Sequence, residues 1–116
     1  MNKYNFYNIH NIIRICVSKD LSFVNEIDSH LNFFKDKNGW ENPETISDIV
    51  IKSFESFSFD DSKNEIFFDD YVFNNNFLIR TASKFAVNLS CSKLKFFMSN
   101  LTLPINLILQ MIYMHN

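Results

Sequence analysis

Few groups in the chain do chemistry near neutral pH: three histidines, His10, His30 and His115, and two cysteines, Cys16 and Cys91. A catalytic thiol needs a polar, partly exposed setting that holds the thiolate. Cys16 lies instead inside an isoleucine-rich run, and Ser90 and Ser92 flank Cys91 with no acid following. Glu26 and His30 stand four residues apart, but one pair does not make a metal site, and no short Cys, His, Asp or Glu spacing completes a zinc set. The run Asp60-Asp61-Ser62-Lys63-Asn64-Glu65 has a calcium-loop flavour. Glu65 stands where such a loop needs glycine, and Tyr71 where it needs the closing glutamate, so the run reads as a turn. Asp69-Asp70 adds a second acid pair with no base or nucleophile beside it. The single glycine, Gly39, excludes every glycine-rich phosphate loop. These residues point to no catalytic group, no metal and no cofactor, and the chain reads as a non-enzyme.

Lys93, Lys95 and the pair Phe96-Phe97 interleave cations with aromatics, as on a base-stacking platform. A net charge of −2 gives no global basic field, and nucleic acid is not expected as a partner. The charge is nevertheless uneven. From Glu41 to Asp70 nine acids face only Lys52 and Lys63, and after Asp70 only Arg80, Lys84, Lys93 and Lys95 are charged. This pattern is read either as complementary neighbours within one fold or as a basic strand pair that docks an acidic partner.

The elements that must position these groups fit a single domain over residues 1–116, long enough to bury a core without disulfide or metal. Fourteen phenylalanines, sixteen asparagines and a nine-to-two excess of Lys over Arg are the composition of an AT-rich genome rather than a binding surface. The start carries no apolar signal segment, and both thiols are expected reduced, so a cytoplasmic setting is expected. Alternation predicts strands over Tyr4–Ile9 and Ile12–Ser18, with Ile13, Ile15 and Val17 on one face and Ile12, Arg14 and Cys16 on the other. Leu21, Val24, Ile27, Leu31 and Phe34 form one stripe of a helix capped by Asp20 and stopped near Gly39. Residues 36–46 read as a loop broken at Asn42-Pro43. Short strands follow over Ile46–Phe54, Glu65–Phe73, Phe77–Arg80, Phe85–Leu89 and Leu94–Met98. The expected fold is α+β: a small antiparallel meander, one amphipathic helix and a C-terminal apolar helix over Leu103–Met114.

That last helix is apolar on almost every side, too short to cross a bilayer, and no membrane partner is expected. A terminal helix on a small sheet buries one face there, so its other face asks for a neighbour. Ile105, Leu109, Ile112, Tyr113 and Met114 are the expected partner-binding residues, and an open sheet edge offers a second route for a peptide strand. A homo-oligomer formed through the same helices is the alternative reading.

The order of elements resembles the region upstream of the nucleotide-binding core in bacterial HPr-kinase-related proteins. The resemblance is carried by Ile15-Cys16-Val17-Ser18, Asp20-Leu21-Ser22-Phe23, Phe67-Phe68-Asp69-Asp70-Tyr71 and the stretch from Asn100 through Pro104 to Ile112. It implies a β-rich front end leading into an apolar helix that packs on a kinase domain. The family's phosphate loop, metal ligands and catalytic base have no counterpart here. The resemblance thus implies a non-catalytic accessory module that docks a kinase-like domain, a peptide or a second copy of itself.

Overall fold

The computed structural model describes residues 3–58, 64–68, 71–74, 76–88 and 93–99. Two strands open the fold as a hairpin, β1 (Tyr4–Ile9) and β2 (Ile13–Ser18), paired antiparallel. The turn between them is tight because His10 and Asn11 both take left-handed conformations, φ 53° and 59°. Asn8 locks that turn, its side-chain oxygen accepting the Asn11 backbone N–H at 2.9 Å. Helix α1 (Val24–Leu31) follows and ends in a 3-10 turn over Asn32–Phe34. It is shorter than the stripe predicts. Phe23 is the N-cap with no side-chain hydrogen bond, and Asp20 accepts from the Ser18 hydroxyl instead of capping.

A one-turn helix, α2 (Pro43–Ile46), occupies the segment expected as loop. Asn42 enters it at φ 51°, and the Pro43 ring suits a first helical position, where no N–H is needed. Then come β3 (Ile49–Ser53), β4 (Asn64–Phe68), β5 (Tyr71–Asn74), β6 (Phe77–Arg80), β7 (Phe85–Asn88) and β8 (Leu94–Met98). The single strand expected over Glu65–Phe73 is two strands, β4 and β5, paired antiparallel.

Among the described residues the sheet order is β1-β2-β3-β8-β7-β6-β5-β4. This corrects the expected antiparallel meander. β3 runs parallel to both β2 and β8, so the sheet is mixed. Two features allow it. The α1 segment is long enough to carry the chain back to the same sheet end, as parallel pairing requires. Ile49-Val50-Ile51 is apolar without alternation, and each is buried, as befits a strand covered on both faces. The C-terminal helix expected over Leu103–Met114 lies outside the described residues, and with it Ile105, Leu109, Ile112, Tyr113 and Met114.

Each sheet face carries its own core. Ile13, Ile15 and Val17 join Ile49, Ile51, Phe96 and Met98 under Leu21, Phe23, Ile27 and Leu31. Burying a side chain of this size is worth about 1.5–3 kcal/mol. On the opposite face Phe6, Cys16 and Val50 lie beneath Trp40, and Ile79, Ala86 and Phe97 lie beneath Phe54 and Phe57.

Candidate functional site

The structure places some of the chemical candidates and leaves others outside the described residues. Cys16 is fully buried, and burial pushes its thiol up to about 11, so it stays protonated and unreactive at neutral pH. Its Sγ faces the Pro43 carbonyl at 3.6 Å, and it is a free thiol. Glu26 and His30 are both exposed on α1. No group of three His, Cys, Asp or Glu side chains able to hold a metal occurs among the described residues. Phe96 and Phe97 point to opposite faces of β8 and are both buried, at 1% and 6% exposure, so they form no stacking platform. Cys91, Asp60, Asp61, Asp69, Asp70 and His115 lie outside the described residues.

Among the described residues, part of the uneven charge is paired within the fold. Glu44, on α2, receives three donors: Tyr4 Oη at 2.8 Å, Lys52 Nζ at 3.1 Å and Lys95 Nζ at 2.9 Å. Burial opposes ionisation of this carboxyl, yet the hydrogen bonds from Lys95, Tyr4 and Lys52 prevail and hold it at about 2. Both lysines also stand over the Phe97 ring, 5.8 and 5.6 Å from its centroid. Lys93 donates to the Thr45 carbonyl, Lys84 lies 3.8 Å from Glu55, and Arg80 stacks on Tyr71 at 5.4 Å. The basic end of the chain is thus engaged inside the molecule, and this cluster clamps α2 to the sheet rather than presenting a cationic surface.

Among the described residues, a groove of about 440 Å³ opens at the β1–β2 turn, where the 3-10 turn after α1 meets the hairpin. Its lining is mostly polar, with aromatic rings on one side. Phe34 stands edge-on to the His10 ring at 5.5 Å and to Phe33 at 5.3 Å. Phe33 itself is 88% exposed, an unusual state for a side chain of this size. The rim is polar, formed by Asn8, Asn11, Lys35, Asp36 and Lys37.

The groove is held rigidly from behind. Tyr7 is buried and its hydroxyl donates to Asp28 Oδ1 at 2.6 Å; Lys35 Nζ reaches the same oxygen at 3.0 Å. The hydrogen bond from Tyr7, then that from Lys35, keeps the Asp28 carboxyl below its ordinary range. Burial, then the Asp28 hydrogen bond, pushes the Tyr7 phenol up. Backbone contacts continue the anchoring: Lys35 bridges to Tyr7, and the Asp36 N–H donates to the Phe6 carbonyl at 2.8 Å. These bonds cover part of the outer edge of β1, which is therefore not a free strand edge there.

Sequence reasoning missed this site. The three-and-four spacing gives Phe34 only a place on the helix stripe, and no spacing gives His10 a role. Phe33 lies just off the stripe, which is the one sign that it points to solvent. The expected contact residues Ile105, Leu109, Ile112, Tyr113 and Met114 are not placed by the structure relative to the groove. No family model, curated protein or solved structure matches the chain.

Proposed function

We propose that the protein is a non-catalytic binding module that takes an apolar side chain of a protein partner into the groove beside Phe33. The observation that supports this most is the exposure of Phe33 on a rigid aromatic wall. The backbone that carries Phe33 is anchored through Lys35 and Asp36, so binding there needs little ordering of the main chain. Such preorganised aromatic anchors dominate protein interfaces. A kinase-like domain, the partner implied by the resemblance, fits if it presents such a segment. The buried free thiol of Cys16 accords with a reducing, cytoplasmic setting, which belongs to the same proposal.

The test is selection of a random peptide display library on the intact chain, with Phe33→Ser as the counter-target. We expect enriched peptides to carry an aromatic or branched aliphatic residue and to lose binding to Phe33→Ser. Enriched peptides that bind both proteins equally, or no enrichment at all, would refute the assignment. Phe33→Ser is expected to fold normally, within about 0.5 kcal/mol of the parent, because the side chain is already exposed.

A further inference from the structure

The segment after the 3-10 turn holds the pair Asn38-Gly39, and Gly39 is the only glycine of the chain. This pair carries chemistry of its own. The backbone nitrogen that follows an asparagine can attack the side-chain amide carbon, and glycine leaves the approach open because it has no Cβ. Asn38 is exposed, so water and base reach its amide. No other asparagine of the chain precedes a glycine.

The fold works against the reaction at this bond. Asp36 Oδ1 accepts the N–H groups of both Asn38 and Gly39, at 3.0 and 3.1 Å. A carboxylate that holds the Gly39 N–H opposes loss of its proton, which the attack requires. Gly39 is also seated tightly, since at φ 65° a Cβ there would lie 2.6 Å from the Phe6 ring. The Asn38–Gly39 peptide therefore has little room to turn. Asp36 is itself pinned, its N–H donating to the Phe6 carbonyl at 2.8 Å.

We infer that Asn38-Gly39 is a latent site of self-modification, held off by Asp36 and released when the turn over residues 36–39 opens. On opening, the Gly39 nitrogen bonds to Asn38 Cγ as the Cγ–Nδ2 bond breaks. The Gly39 amide proton passes through water to the departing nitrogen, which leaves as ammonia. Water then adds to either carbonyl of the cyclic imide and cleaves its bond to nitrogen, leaving an aspartyl or an isoaspartyl residue at position 38. Both products place a new carboxylate next to Lys37. The isoaspartyl product also lengthens the main chain by one carbon where Gly39 abuts Phe6. Phe6 meets Trp40 edge-on at 4.7 Å, so that product loosens the packing of Trp40.

Keeping the full chain in mildly alkaline buffer, folded and in denaturing urea, and reading residue 38 by peptide mass spectrometry tests this. In urea Asn38 should convert ahead of every other asparagine. The folded parent should convert about tenfold more slowly or slower still, because only the opened turn reacts. Folded Asp36→Ala should recover most of that difference. Asp36→Asn, which keeps an acceptor without the charge, should recover part of it. The other asparagines should stay at parental rates in both variants, which a merely unfolded variant would not show. Equal rates in the folded parent and in urea, equal rates in the parent and both variants, or no preference for Asn38 in urea would each overturn the proposal. The isolated isoaspartyl fraction should show red-shifted emission from Trp40, the only tryptophan. Unchanged emission would overturn the structural consequence.

Discussion

Glu44 illustrates how a partly exposed side chain becomes structural. Its carboxylate joins three elements, through Tyr4 on β1, Lys52 on β3 and Lys95 on β8, and thereby seats α2 on the sheet. Its folded value, about 2, lies below its ordinary 4.5. The stabilisation is therefore complete above the ordinary value and disappears as the pH falls through it toward the folded one. Solvent screening at a side chain 36% exposed reduces the worth of this linkage to about 1 kcal/mol. Glu44→Gln should accordingly show a flatter acid dependence than the parent in urea unfolding across this range. Asp28, also lowered, retains its own share in both proteins. Parallel loss in the two proteins would show that the carboxylate carries no linkage. None of this was legible in the sequence: Glu44 is one of nine acids in its segment, and nothing local distinguishes it.

At the scale of elements, the connections rather than the strands carry the fold's constraints. Gly39 stands at φ 65°, and a Cβ there would lie 2.6 Å from two atoms of the Phe6 ring. That ring is buried and meets Trp40 edge-on at 4.7 Å, while Trp40 donates to Ser47 at 2.9 Å. The buried Phe6 ring has little room to yield. Gly39→Ala should cost about 2 kcal/mol, from the left-handed backbone and the clash together, read as a lowered denaturation midpoint. A loss below a few tenths would mean that the segment rearranges freely. Gly39 was expected as the helix stop, but α1 ends at Leu31 and its 3-10 turn at Phe34; what was legible is that glycine marks a turn. Its role as a platform for Phe6 was not, since Phe6 lies thirty-three residues away in sequence. The short helix at Pro43 was missed because Asn-Pro marks a break and a helix start equally well, and only the left-handed Asn42 decides between them.

For the whole molecule, β3 is the joint. It lies between β2 and β8, so the hairpin with its helix on one side and the antiparallel strands on the other meet through its backbone. Ile51 is 1% exposed and belongs to the core shared by both sides. Ile51→Ala should cost about 3 kcal/mol, the usual range for a buried isoleucine truncated to alanine. It should lower amide-exchange protection in β1–β2 and in β7–β8 alike. Loss confined to one side would mean that the halves unfold separately. No helix among the described residues is long and apolar enough to cross a membrane.

The sequence by itself determined the parts that depend on near neighbours. Alternation placed Ile13, Ile15 and Val17 on one face, the three-and-four spacing placed Leu21, Ile27 and Leu31 against them, and the isoleucine-rich run foretold a buried Cys16. Side-chain direction along a strand or helix repeats with the backbone, so local pattern suffices for it. Only the tertiary structure decided the order of the strands, the parallel pairing of β3 and the engagement of the late lysines by earlier acids. These depend on contacts between residues far apart in the chain, for which composition and period carry no address. The groove belongs to the same class. His10 and Phe34 meet because a locked turn and a helix end arrive at one edge of the sheet, and neither carries a mark of the other in the sequence.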